Sequence, residues 1–337
     1  MKQTTKNTMI AMGTATAAAG IAVGSTIAAA HVLFRFALDT KKPWSIPNRQ
    51  PESGNGNNNG NDQAPVRDAD DIARSEAWFD EAKQPVTLRS RDGLRLHGWL
   101  LDPDCASPTP HLYAICCHGY TGEPREMAKW AHHYAKLGFT VLVPALRAHE
   151  LSEGRYIGMG WLEHFDLLDW LDLIVKADAQ ARVLLHGNSM GAATVMMTAG
   201  DARLPRNVVA AVCDCGYSST VRQFTDTAMT MFRLPLPLAS LMVMLTSRVC
   251  WKHAGYRFED ASCTRALRHA TIPMLFIHGS ADDFVSPASI NRNYTACASI
   301  HREKLLVPGA GHTMSASTAP DVYWRKVTGF VRGVFEL

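Results

Sequence analysis

The run His186-Gly187-Asn188-Ser189-Met190-Gly191 constrains this chain more than any other part of it. It reads Gly-x-Ser-x-Gly, with an apolar stretch before it (Val183, Leu184, Leu185) and a helix-forming stretch after it (Ala192 to Ala199). A strand that turns sharply into a helix at a serine is the setting of a nucleophile elbow. The turn imposes backbone angles that L-residues avoid, so its neighbours must be small, and glycine at 187 and 191 meets that need. The serine hydroxyl is lifted clear of the sheet. The N–H of Met190 falls at the helix start, where a negative oxygen can be held. Standing alone, the motif could equally be a tight strand–helix turn, so its surroundings decide.

Those surroundings alternate. Val86-Thr87-Leu88 and Leu94 to Trp99 flank Arg91-Asp92-Gly93 and predict an antiparallel hairpin. Leu112 to Cys117 is a continuous apolar run, as a strand buried on both faces requires. Helix Glu123–Leu137, strand Thr140–Val143, helix Trp161–Ala177, strand Val183–Leu185, helix Ser189–Ala199 and strand Val208–Cys213 follow. After a break come strand Met274–Ile277, helix Pro287–Ala298, strand Lys304–Val307 and helix Asp321–Phe335. Such alternation predicts an α/β fold with a mostly parallel, eight-stranded sheet and helices on both faces. Function then belongs at the carboxyl ends of the strands. The break, about 218–262, holds apolar residues at helical spacing, split by Pro235 and Pro237. Its place after a core strand predicts a small helical cap, an apolar roof suited to an acyl or aromatic group.

The amino-terminal part differs in kind. Met9 to Ala30 carries no charge and is long enough for one bilayer crossing, with Lys2 and Lys6 before it and Arg35, Lys41 and Lys42 after it. We read residues 1–40 as a single-pass membrane anchor. A cleaved signal segment is the alternative, since Ala28-Ala29-Ala30 offers a small-residue cut site, and the body would then be secreted. Similar charge on both flanks leaves orientation open, with an extracytoplasmic body as the expectation. Residues 41–67, rich in Gly and Asn, read as a flexible linker, and the catalytic domain is expected over 68–337. Asp68 to Lys83 predicts a helix docked through Ile72, Trp78 and Phe79.

A formal charge of +3 with no basic stripe argues against nucleic acid. The 14 histidines show no zinc-ligand spacing, so no metal or organic cofactor is expected. The 8 cysteines include adjacent pairs within strands, a poor disulfide framework, and are expected to be mostly free thiols. Oligomeric state is open.

A serine needs a base, and the base an orienting acid. Gly309-Ala310-Gly311-His312 follows the last strand, so His312 is the candidate base. Asp282, in the turn after strand Met274–Ile277, is the candidate acid, with Asp283 and Asp214 as alternatives. His118-Gly119-Tyr120-Thr121-Gly122 follows strand Leu112–Cys117 and suggests the Tyr120 N–H as a second oxyanion donor beside Met190. His118 itself reads as a loop organiser. Each segment sits at a strand end, and the chain order is Ser, Asp, His.

Over about 81–335 the chain resembles the α/β-hydrolase fold, specifically bacterial serine hydrolases of that group. Besides the Ser189, Asp282 and His312 segments, the matching runs are Cys117 to Gly122, Tyr156 to Trp161 and Asp214 to Ser219. The resemblance implies Ser189, Asp282 and His312 as the triad, in agreement with the residues. One loop departs from the group's Asp-x-Arg-Gly-His-Gly-x-Ser, reading Ala145 to Ser152 without the acidic residue or the glycines. The expected activity is cleavage of a small-molecule ester with an apolar acyl or aryl group. A peptidase, an acyltransferase and a non-catalytic membrane-bound interaction protein are the rivals.

Overall fold

The computed structural model describes residues 26–41 and 65–337. Its centre is one eight-stranded sheet in the order β1-β2-β4-β3-β5-β6-β7-β8. The strands are β1 (Gln84–Arg89), β2 (Arg95–Leu101), β3 (Leu112–Cys117), β4 (Thr140–Pro144), β5 (Arg182–Asn188), β6 (Val208–Asp214), β7 (Met274–Gly279) and β8 (Arg302–Val307). The β1–β2 and β2–β4 pairs are antiparallel, and every pair from β4 to β8 is parallel. The expected α/β architecture is therefore the one observed.

Alternation along the parallel strands feeds two cores. Ile115, Cys117, Leu185, Ala211, Cys213 and Phe276 face one side. Ala114, Cys116, Leu184, Ala210, Val212 and Leu275 face the other. Helices α3 (Ala128–Lys136) and α10 (Pro320–Phe335) cover the second side, joined by α2 (Ala69–Ala82) through Phe79. On the first side lie α4 (Trp161–Ala177), α5 (Met190–Ala199), α8 (Cys263–Leu267) and α9 (Ala288–Ala296). The helix expected over 123–137 begins instead as a 3-10 turn, Pro124–Met127, and its α-helical part is Ala128–Lys136. All eight cysteines are free thiols.

The cap is two helices, α6 (Thr220–Met231) and α7 (Leu236–Ala254). They part where Pro235 and Pro237 stand, the latter in the first turn of α7, where a missing N–H costs nothing. The expected apolar roof is corrected in part. Ala239, Met242, Val243 and Val249 do turn inward, but Met231, Phe232, Leu236, Leu238, Leu241, Met244 and Trp251 face outward.

A further helix, α1, runs over 26–38. Ala30, Phe34 and Leu38, one helical turn apart, are buried against the body. Burying Phe34 and Leu38 contributes about 1.5–3 kcal/mol each. Phe34 stacks on His253 of α7 with ring centroids 5.4 Å apart and meets Tyr156 at 5.2 Å. The helix end is tied by Ile157 N–H to Leu38 O at 2.9 Å, by Thr40 N–H to Arg155 O at 3.0 Å, and by Arg155 to the buried Asp39 at 2.9 Å. The Tyr120 hydroxyl donates to Ala37 O. The boundary expected at residue 40 thus falls within a packed segment. No helix among the described residues is long and apolar enough to cross a membrane. The expected span, Met9–Ala30, lies outside the described residues except for 26–30, and most of the expected linker, 42–64, lies outside them too.

Candidate active site

At the junction of β5 and α5 Ser189 has φ 54 and ψ −114, a region costly for a residue with a Cβ. The surrounding packing holds it there. A Cβ on Gly191 would lie 2.1 Å from Cys117 O, and one on Gly187 would lie 2.3 Å from Gly191 C. Only glycine permits these backbones to approach so closely. Ser189 N–H also donates to Asp214 O on β6 at 2.9 Å, which ties the turn to the sheet.

Two loops carry the other candidates, and backbone contacts lock them together. Ser280 N–H donates to Val307 O at 2.9 Å, and Ala281 N–H to Ala310 O at 2.9 Å. Ser280 Oγ accepts from Gly309 N–H at 2.9 Å. A Cβ on Gly279 would meet Ala310 O at 2.2 Å, so the tight crossing of these loops again requires glycine.

The result is a continuous relay. His312 Nε2 lies 2.8 Å from Ser189 Oγ, and His312 Nδ1 lies 2.7 Å from Asp282 Oδ2. Asp282 cannot serve as a proton donor here, so Nδ1 carries the hydrogen and Nε2 accepts from the serine hydroxyl. The other carboxylate oxygen, Oδ1, accepts from Phe284 N–H at 3.0 Å and Val285 N–H at 2.8 Å. Burial alone would raise the Asp282 carboxyl, but hydrogen bonds from His278 and His312, and their charge, outweigh it and hold it well below the usual carboxylate range.

His278 was not among the residues singled out. Its Nε2 lies 3.0 Å from Asp282 Oδ2 and donates to Val285 O at 3.0 Å. It ends β7 four residues before Asp282, so strand-end position was the available signal. Phe284 was missed as well. Its ring packs on His312 with centroids 5.0 Å apart, and Gln223 of the cap donates to its carbonyl at 2.8 Å.

The alternative acids stand elsewhere. Asp283 is exposed, and the carboxylate hydrogen-bonded to His312 is that of Asp282. Asp214 is fully buried, and burial pushes its carboxyl above the ordinary range. Across from the serine, the 118–122 loop comes close. A Cβ on Gly119 would touch Ser189 Cβ at 3.6 Å and lie 3.8 Å from Asn188 O, so this loop runs against the serine turn. His118 braces this loop. Its Nε2 accepts from Leu146 N–H at 3.0 Å, so its Nδ1–H donates to Gly119 O at 2.8 Å. Burial and the neighbouring His149 push His118 down to about 3, which keeps this neutral tautomer at ordinary pH. In the loop that departs from the group's pattern, Arg147 is buried against Asp166 at 2.5 Å and reaches Asp92 at 2.9 Å.

An alternating sheet with a strained serine at its central crossover is the frame of one large protein family. Residues 114–325 match the model of the alpha/beta hydrolase family, and the chain belongs to that family. Among curated relatives it is 28% identical to the uncharacterized protein YqkD of Bacillus subtilis over 65% of this chain and 70% of that one. It is 26% identical to the uncharacterized protein Rv2307c of Mycobacterium tuberculosis over 68% and 73% of the two chains. Among solved structures, the Pyrococcus furiosus esterase Pf2001 superposes with a TM-score of 0.57 at 20% identity, covering 75% of this chain and 92% of that one. XC6422 of Xanthomonas campestris, described as an α/β serine hydrolase without a lid, gives 0.52 at 17% identity over 75% and 95%. At these identities the likeness concerns the fold.

Proposed function

We propose that the protein is a serine hydrolase that cleaves a carboxylic ester through an acyl-enzyme. The observation that carries this reading is the unbroken Ser189–His312–Asp282 hydrogen-bond chain, at 2.8 and 2.7 Å. In the proposed reaction Ser189 Oγ attacks the ester carbonyl carbon while His312 Nε2 takes its proton. Asp282 keeps the hydrogen of the neutral ring on Nδ1 and stabilises the imidazolium that forms. The N–H groups of Tyr120 and Met190 hold the tetrahedral oxyanion, each donor supporting on the order of 10²–10³ in turnover. His312 then gives its proton to the leaving alcohol. Water, deprotonated by the same ring, attacks the acyl-enzyme and releases the acid. No step calls on a metal or an organic cofactor.

An alcohol leaves more readily than an amine, which favours an ester over a peptide. The Phe284 ring beside His312 favours an apolar acyl or aryl group. In the test, the full chain and Ser189→Ala meet a fluorophosphonate probe. Wild type labels and the variant does not; equal labelling removes Ser189 as the nucleophile. A chain-length series of p-nitrophenyl esters beside aminoacyl-nitroanilides then tests the substrate class, and preference for the anilides overturns the ester assignment. The N-terminal membrane anchor stays part of this proposal, supported by the uncharged run Met9–Ala30.

A further inference from the structure

The outward-facing cap residues are unlike scattered surface apolar groups, which are ordinary in any protein. At the tip between α6 and α7, Met231, Phe232, Leu236 and Leu238 are 42–55% exposed. From that tip one face of α7 continues the pattern. Leu241, Met244, Arg248 and Trp251 recur every three or four residues, and all four are exposed while Met242, Val249 and Cys250 between them are buried. Helical periodicity puts those four on one stripe. A soluble surface rarely concentrates large apolar groups in this way without a partner.

Within the segment itself the charge has one sign. From residue 227 to residue 258 there is no Asp or Glu, against Arg233, Arg248, Lys252 and Arg257, and Glu259 reaches α7 at the buried Ser247, 2.6 Å away, on the side away from the stripe. Arg257 lies over the Trp251 ring at 5.1 Å, so the basic and aromatic ends of the stripe are contiguous. An apolar face flanked by Lys and Arg is the composition that lies in a headgroup boundary, and each basic residue near an anionic surface strengthens the attraction. The position of α1 points the same way. It packs on α7 through His31 and Phe34 against His253, and its own outer side exposes Ile27 and Val32. Residues 26–30, the described end of the uncharged run, therefore belong to a helix that meets α7 at its carboxyl end. A second copy fits the face less well, because a self-complementary contact would gather two sets of these four cations with no acidic residue in the 227–258 segment to meet them.

We propose that the α6–α7 tip and the outer stripe of α7 dock on a bilayer surface bearing anionic headgroups, with the apolar tip entering the boundary between headgroups and acyl chains. This surface is separate from the Ser189 chemistry, and its test does not read ester hydrolysis.

The test uses the full chain in a Cys105→Ser background, since Cys105 is the exposed thiol of the eight. Phe232→Cys carries an environment-sensitive NBD fluorophore, and Ile300→Cys, 87% exposed before β8, carries it as the control. Each protein is placed, one chain per particle, on nanodiscs of phosphatidylcholine with or without phosphatidylglycerol. The expected result is a blue shift of the 232 emission, quenched by nitroxide lipids and larger with phosphatidylglycerol, while the 300 emission stays water-like. Arg248→Gln and Lys252→Gln should each lower the docked-to-free ratio about fivefold on the anionic discs. Water-like emission at 232 on both discs overturns the proposal. So does a shift that appears only when two chains share a particle, which would make the occupant a second copy, or one that is indifferent to lipid charge.

Discussion

Replacing Asp282 with Asn keeps the shape of the side chain and changes only what its two ends can do. The orientation of the new amide follows from the hydrogen bonds. Oδ1 now accepts two backbone N–H groups, from Phe284 and Val285. Turning the NH₂ toward them would set donor against donor at both, and leave the buried Val285 N–H unpaired at about 1–3 kcal/mol. The amide oxygen therefore stays there, and the NH₂ takes the place of Oδ2, 2.7 Å from His312 Nδ1. An NH₂ can only donate, so Nδ1 must accept, and the ring hydrogen moves to Nε2, facing Ser189 Oγ. In that tautomer the ring cannot take the serine proton. The same exchange in a Ser-His-Asp site elsewhere lowers turnover about 10⁴-fold, or about 5.4 kcal/mol of barrier. Asp282→Asn should lose activity on p-nitrophenyl esters by that order, and label with fluorophosphonate correspondingly slowly, while Asp283→Asn stays at the wild-type rate. Thermal melts of both variants verify that they fold. A folded Asp282→Asn protein within tenfold of wild-type turnover would refute the tautomer argument and reopen the choice of acid.

Other outcomes follow from packing and charge. Gly191→Ala puts a Cβ 2.1 Å from Cys117 O, where backbone must move; we expect a loss on the order of 3 kcal/mol, read from urea midpoints, and no labelling of Ser189. Arg147→Ala leaves the buried Asp166 without its 2.5 Å partner and should destabilise by about 3–5 kcal/mol by the same measurement. Because Asp282 is held below the ordinary carboxylate range, its contribution to stability is complete above the unfolded-chain value near 3.9 and disappears as pH falls through the folded one. The stability gap between wild type and Asp282→Asn should therefore narrow on acidification, and a gap that widens in acid would contradict that sign.

Sequence reading succeeded where one residue type has one job. The Gly187 and Gly191 pair marked the turn because no other residue fits between those backbones. The runs at β3 and β6 were legible because strands covered on both faces must be apolar throughout. His312 and Asp282 were picked out from strand-end position, flanking small residues and chain order, and the geometry brings the two side chains together. The cap residues misled because a helix carrying apolar groups on every side has no periodicity to separate its inner face from its outer one. His278 escaped notice because its contact with Asp282 depends on how the loop folds back. The docking of α1 was hidden by composition, since Phe34 and Leu38 read equally well as the edge of an apolar span.

That docking changes the job of the Gly- and Asn-rich stretch. Because the folded body has already grasped the chain at Phe34, Leu38 and Asp39, the stretch beyond joins two fixed points, α1 on one side and α2 on the other. It therefore gives the body no slack relative to α1. The rim where the Tyr120 hydroxyl reaches Ala37 is thereby tied to α1 itself. Cutting after Ala30 would divide a seated helix, so such processing has to precede folding.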